Sequence, residues 1–87
     1  MPRRVKAVRQ PDLVLISWSR NPLVPGSARR IVAARVIGSA APCRQDLRPN
    51  ALLSTALACL QDHDVGFKIV FRKMTSDISG YLLLQRN

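Results

Sequence analysis

The chain has 87 residues, enough for one folded domain and too few for two, because a chain of this size buries only about 60% of its unfolded surface. Hydrophobic residues make up 47% of it, which excludes an intrinsically disordered chain. The net charge of +9 comes from 14 Lys and Arg residues against five Asp and no Glu, so nucleic acid, acidic proteins and anionic surfaces are the partners that its potential would attract.

The amino-terminal segment is the most basic part of the sequence. Residues 1–35 carry eight positive side chains and one Asp, whereas residues 36–87 carry six and four. We expect a flexible basic arm over 1–11 and a single domain over 12–87. The first ten residues are charged and no apolar segment follows them directly, so we predict no secretory signal. No apolar run reaches the roughly 18 residues of a membrane-spanning helix.

Two segments in the first half of the domain have the pattern of β-strands. In DLVLISWS (12–19), Leu13 and Leu15 point to one face, and the other face takes Val14, Ile16 and Trp18. A strand that is apolar on both faces is usually covered on both sides or lies at an interface. Segment 20–30 contains two prolines and a glycine and predicts a turn. IVAARVIG (31–38) predicts a second strand, although Ala and Arg also favour a helix. Its alternation places Ile31, Ala33 and Ile37 on one face and Val32, Ala34 and Val36 on the other.

One helix is predicted after a loop over 39–50. Within residues 50–64, apolar side chains recur at helical spacing and form one stripe: Leu53, Ala56, Leu57 and Leu60. Asn50 is the expected N-cap, and Gly66 is expected to end the helix because glycine tolerates the left-handed conformation. Asp62 and Asp64 at that end would oppose the helix dipole and need another explanation.

The last two predicted strands form a hairpin. In GFKIVFRK (66–73), Phe67, Ile69 and Phe71 alternate with Lys68, Val70 and Arg72, which predicts one buried and one exposed face. TSDISG (75–80) has turn composition and YLLLQ (81–85) predicts the final strand. The predicted fold is therefore α+β: a small antiparallel or mixed sheet with one helix packed on a face, in the order β-β-α-β-β.

Sites for catalysis, metals and cofactors are weakly supported. Asp62, His63 and Asp64 could act in acid–base chemistry or hold a metal, but neighbouring side chains on a helix do not converge, and a polar helix end in solvent is the commoner case. The four glycines form no phosphate-binding loop. We therefore expect no enzymatic activity, no metal and no cofactor.

The two cysteines, Cys43 and Cys59, are 16 residues apart and form no CxxC pair. We expect reduced thiols and an intracellular, cytoplasmic protein. Cys59 is predicted to be a small core residue, and Cys43, beside Arg44, an exposed thiol. Together with His63 they are too few and too irregularly spaced for a zinc site.

Basic residues are the main candidates for function, because the planar arginine fork suits phosphate oxygens. The predicted nucleic-acid-binding residues are Arg3, Arg4, Lys6 and Arg9 on the arm, and Arg29, Arg30, Lys68, Arg72 and Lys73 in the domain. The hypothesis is a small basic accessory or regulatory protein that binds nucleic acid. Only Trp18 and Tyr81 are expected to be free to stack on bases, so a stacking platform is not predicted.

Two alternatives remain open. The first is a homodimerising protein-interaction module, of the accessory kind that viruses and phages encode, which engages itself or an acidic partner through a sheet edge and through Trp18, Ile16 and Val14. The second is a small ribonuclease of the toxin kind, working with His63, arginines and Tyr81.

Overall fold

Four segments form one antiparallel sheet in the computed structural model, which describes residues 11–86. The strands are β1 (Asp12–Ser19), β2 (Arg30–Ile37), β3 (Lys68–Ser76) and β4 (Ser79–Arg86), and the sheet order is β2-β1-β4-β3. A 3₁₀ helix (Arg44–Leu47) and helix α1 (Leu53–Leu60) connect β2 to β3. The predicted α+β class and element order are confirmed, and the 3₁₀ helix is an addition. The predicted arm, apart from Pro11, lies outside the described residues.

The core lies between one face of the sheet and α1. The helix contributes Leu53, Ala56 and Leu60, all buried, so the predicted apolar stripe is confirmed, with Leu57 half-buried at its margin. The sheet contributes Val14, Ile16, Trp18, Ile31, Leu82 and Leu84. None of the helices within residues 11–86 has the length and apolar content that a membrane crossing requires.

The helix begins three residues later than its predicted N-cap. Asn50 is not the cap: it has a φ of 73°, and its amide donates to the Ile31 carbonyl at 2.6 Å. The cap position belongs to Leu52, which is extended and bridges Arg30. The amide of Leu53 donates to the Arg29 carbonyl at 2.9 Å. The entry to α1 is therefore held by the start of β2, in place of a capping side chain.

The helix also ends earlier than predicted, so the two acidic residues that follow it lie outside the helix. α1 stops at Leu60, and residues 61–65 form a turn. The Asp62 carboxylate accepts the amide of Asp64 at 2.9 Å, and Gly66 follows with a φ of 84°. Asp62 and Asp64 therefore lie in the exposed turn, where Asp62 stabilises the backbone, and the last turn of α1 has no acid against its dipole.

A β-bulge in β3 changes the face on which the following side chains lie. Ile69 pairs with Leu84 and Phe71 with Leu83, so Val70 is an extra residue in β3. The predicted buried face is correct for Phe67, which is buried, and for Ile69, which is half-buried. It is wrong for Phe71, which is 53% exposed. A bulge reverses the alternation beyond it, because side chains repeat every two residues.

The same effect operates in β2. Trp18 pairs with Ile31 and Ser17 with Ala33, so Val32 is the extra residue. Ile31 is consequently buried beneath α1, whereas Ala33 faces the other way. The predicted grouping of Ile31 with Ala33 and Ile37 on one face is wrong for this reason.

The cysteines form a disulfide, contrary to the prediction of reduced thiols. Cys43 is fully buried at the start of the 3₁₀ helix, and Cys59 is half-buried on α1. The bond joins the loop after β2 to the helix. The predicted cytoplasmic location relied on reduced thiols and loses that support, because disulfides persist mainly in oxidising compartments.

Arg86, at the end of β4, connects several parts of the helix side. Its guanidinium forms an ion pair with Asp12 of β1, with an Nη2–Oδ2 distance of 2.8 Å. It also donates to the carbonyls of Ser39, Ala41 and Val65, and it stacks over the Phe67 ring at 4.5 Å from the centroid. One side chain thus joins both central strands to the two loops that flank the 3₁₀ helix and α1.

We expect Arg86→Gln to lower the free energy of unfolding by about 2 kcal/mol, because it removes a partly buried ion pair and leaves three carbonyls without their donor. In a domain of this size, that corresponds to a fall in Tm of roughly 10 °C. Arg86→Lys should recover less than half of the loss, since an ammonium cannot reproduce the fork.

Arg44→Gln is the matched control, because the Arg44 side chain is exposed and forms no hydrogen bond with another residue of 11–86. Thermal and urea unfolding measure both changes. Equal stability of the Arg86→Gln and Arg44→Gln proteins would refute this role for Arg86.

Candidate nucleic-acid interface

The face of the sheet opposite α1 is not covered by any described segment, and we call it the open face. Strand pairing arranges its side chains in three rows that cross the sheet from β2 to β3. The rows are Ile37, Leu13, Gln85 and Lys68; Arg35, Leu15, Leu83 and Phe71; and Ala33, Ser17, Tyr81 and Lys73. The open face therefore has an apolar centre and cations on both edge strands.

Two exposed aromatic rings lie on this face. Phe71 is 53% exposed and Tyr81 is 41% exposed. Phe71 is opposite Leu83, and Tyr81 is two residues from Leu83 on β4, so the rings are diagonal neighbours on adjacent strands. Diagonal neighbours on one face are about 7 Å apart at their backbones, within reach of aromatic side chains.

A shallow hollow of about 150 Å³ adjoins Tyr81. It exists because Ser17 and Ala33, the neighbours of Tyr81 in the same row, have small side chains. Leu15, Ala34 and Arg35 complete its wall. A flat group could enter beside the tyrosine ring with a guanidinium at its edge.

The charge on the open face has one sign. Arg35 lies on edge strand β2, and Lys68 and Lys73 lie on edge strand β3. All five Asp residues lie elsewhere: Asp12 is on the core face with Arg86, Asp77 is in the β3–β4 turn, and the others are Asp46, Asp62 and Asp64 on the helix side. No Asp side chain within residues 11–86 therefore neutralises the cations of this face.

The predicted nucleic-acid-binding residues that lie within 11–86 do not form one surface. Lys68 and Lys73 lie on the open face. Arg72 pairs with buried Leu82 and so lies on the helix side, and Arg29 stacks on Trp18. Arg30 lies at the start of β2 and donates to the Asn50 carbonyl at 2.9 Å. The remaining four, Arg3, Arg4, Lys6 and Arg9, lie outside the described residues.

Sequence reasoning missed two residues of this face, Arg35 and Phe71. Arg35 lies between apolar residues of β2. Alternation along this strand could have identified it, because it is the charged residue on the face that carries Ala33 and Ile37. Phe71 carried no such signal, since its exposure depends on the bulge at Val70.

The predicted interface residues Trp18, Ile16 and Val14 all lie in the core, with exposures of 4%, 0% and 0%. Their side chains have almost no surface left for a partner in this fold. A protein that met β1 would contact Leu13 and Leu15, on the open face. The predicted interface through Trp18, Ile16 and Val14 therefore finds no support in the burial of these side chains.

The candidate catalytic residues are not brought together. His63 is exposed in the turn after α1, whereas Tyr81 is on the open face, so the sheet separates them. Across residues 11–86, no group of three His, Cys, Asp or Glu side chains is placed to hold a metal ion.

Comparison with known proteins identifies no relative: no protein-family model, no curated protein and no solved structure matches this chain. The geometry of the open face is therefore the basis for a functional proposal.

Proposed function

We propose that this chain binds single-stranded nucleic acid across the open face. Bases stack on Phe71 and Tyr81, and phosphates contact Arg35, Lys68 and Lys73. The observation that supports this proposal is the pairing of two exposed aromatic rings with three cations on a face that carries no acid. The chain then acts as a non-enzymatic accessory protein.

The shape of the open face favours a single strand over a duplex. In a duplex the bases are stacked on one another and present only their edges in the grooves, so exposed aromatic rings on a sheet face have no base surface to stack on. In a single strand, the bases are free to stack on side chains, and each base–aromatic contact contributes about 1–3 kcal/mol. The hollow beside Tyr81 gives room for one such base.

The positive charge supplies affinity without sequence preference. Each phosphate contact on a single strand adds about 0.7 to the slope of log affinity against log salt. Three cations on the open face therefore give a slope of about 2. The basic residues predicted on the arm, Arg3, Arg4, Lys6 and Arg9, would add to it.

We expect Phe71→Ala and Tyr81→Ala each to weaken binding of a single-stranded oligonucleotide by about tenfold or more, because each removes one stacking contact. Both side chains are exposed, so the fold should remain. Met74→Ala is the matched control: Met74 is on the same strand as Phe71 and 58% exposed, but lies on the other face. Fluorescence anisotropy with a labelled oligonucleotide measures the change. A loss for Met74→Ala as large as for Phe71→Ala would contradict the assignment of the face.

The contributions of the cations and of the aromatic rings to affinity should differ in their dependence on salt concentration. Replacing Arg35, Lys68 and Lys73 together by Gln should lower the salt slope by about 2, whereas Phe71→Ala should leave the slope unchanged. The control replaces Arg44 and Arg48, exposed cations on the helix side, by Gln. Titrations at four or more salt concentrations give the slopes. An unchanged slope for the triple variant would rule out phosphate contact on this face.

A second candidate function is self-association through the same surface. It is favoured by the aliphatic residues at the centre and on the β2 side of the open face, of which Ile37 is 57% and Leu15 is 39% exposed. Exposed apolar patches of this kind commonly mark protein interfaces, and two-fold dimers are the commonest assembly. Arg35, Lys68 and Lys73 oppose this arrangement unless each copy's cations lie outside the contact.

If self-association is the function, Leu15→Gln should convert a dimer to a monomer, and Met74→Gln should not. Sedimentation equilibrium without nucleic acid measures the assembly. Because both functions use one face, a dimer should dissociate on adding an oligonucleotide. A dimer that Leu15→Gln leaves intact would remove the open face as its interface.

A further inference from the structure

A second cationic site lies on the helix side of the sheet. A cavity of about 170 Å³ opens there between Leu57 of α1 and the strands. Trp18, Ile69 and Leu82 form apolar walls, and Arg29 and Arg72 are the two guanidinium groups at its margin. Trp18 and Leu82 lie on the core side of their strands, so the cavity opens on the helix side. Met74 also lines it, as do Lys73 and Tyr81 of the open face, so the cavity adjoins that face.

The cavity follows from the shortness of α1 and from Gly80. An eight-residue helix leaves the β3 half of the core face only partly covered, so Ile69 is half-buried and Arg72 exposed. Gly80 lets Trp18 lie against β4: a Cβ there would be 2.9 Å from Trp18 Cζ2. The indole is therefore fixed at the wall of the cavity, and any larger residue at 80 would displace it.

The guanidinium of Arg29 is positioned by stacking. Its Cζ is 4.8 Å from the centroid of the Trp18 ring, which orients the planar group beside the cavity. Arg72 approaches from β3. Neither side chain forms a hydrogen bond or an ion pair with any residue from 11 to 86, so the donors of both forks are free for a ligand.

We infer that this cavity binds the phosphate of a small phosphomonoester. Two arginine forks match a phosphate dianion in charge and in hydrogen-bonding geometry. The apolar walls suit an aromatic or aliphatic group attached to the phosphate. The volume of about 170 Å³ is below the roughly 300 Å³ at which drug-sized sites begin, so the ligand is small. Arg29 and Arg72 take no part in the proposed nucleic-acid binding, so variants of these two arginines test this site apart from the proposed function.

The test uses phenyl phosphate and the fluorescence of Trp18, which is the single tryptophan of the chain. Phenyl phosphate should cause a saturable change in its emission, and inorganic phosphate a weaker one. Benzoate carries the same ring with a single charge and should bind at least about tenfold more weakly. Sodium chloride at equal ionic strength should give no saturable change. Isothermal titration calorimetry gives an independent measure of the same binding.

Matched variants locate the site. Arg72→Gln and Arg29→Gln should each weaken phenyl phosphate binding by about tenfold or more, because each removes charge-assisted hydrogen bonds. Arg72→Lys keeps the charge without the fork and should recover part of the affinity. Arg44→Gln should bind as the wild type does. Arg72 is exposed, so these variants should keep the wild-type Tm.

The inference is overturned if neither fluorescence nor calorimetry detects saturable binding, or if Arg72→Gln and Arg44→Gln bind equally well. Benzoate binding as tight as phenyl phosphate would overturn the phosphate assignment. Phe71→Ala should leave the affinity for phenyl phosphate unchanged. Arg72→Gln should leave the affinity for an oligonucleotide without a terminal phosphate unchanged. These two cross-controls distinguish a failure here from a failure of the proposed function.

Discussion

The ion pair between Arg86 and Asp12 is the interaction on which the arrangement of this chain depends. It joins the end of β4 to the start of β1, and the remaining donors of Arg86 hold the carbonyls of Ser39, Ala41 and Val65. Those loops lead into the 3₁₀ helix and out of α1. Arg86 therefore holds the helical layer against one face of the sheet, together with the backbone hydrogen bonds between the start of β2 and the entry to α1. The disulfide between Cys43 and Cys59 ties the same layer internally. Both helices of the described chain lie on the same side of the sheet, so no described segment covers the other face.

Because the helical layer covers only one face of the sheet, the acidic residues and the cations of the open face lie on different sides of the molecule. Asp46, Asp62 and Asp64 lie in the helical layer, and Asp12 is occupied by Arg86. The open face keeps cations on its two edge strands and apolar side chains between them. A surface of this kind suits a partner that is both negatively charged and flat, which nucleic-acid bases and phosphates together provide. The cavity beside Trp18 presents a different combination, two guanidinium groups around a small apolar space, and suits a smaller anion.

The candidate sites were only partly predictable, as particular residues show. Lys68 and Lys73 were identified from charge alone, and the strands that carry them from alternation. Phe71 was placed in the core because nothing in the letters of residues 66–73 signals a bulge, which arises from the pairing of β3 with β4. Trp18 was expected to anchor a partner because its strand is apolar on both faces, and only the position of α1 decides which of those faces is buried. The pairing of Cys43 with Cys59 depends on a Cα–Cα distance of 5.8 Å that sequence spacing does not set.

By itself, the sequence determined the secondary-structure order, the single amphipathic helix and the excess of positive charge, because periodicity and composition are properties of neighbouring residues. Only the tertiary structure decided which side chains share a surface. One extra residue in a strand moves every later side chain to the other face, and strand order, set by long-range hydrogen bonding, decides which basic residues become neighbours. For that reason the predicted basic residues Lys68 and Arg72, which strict alternation would place on one face of β3, lie on opposite faces of the sheet.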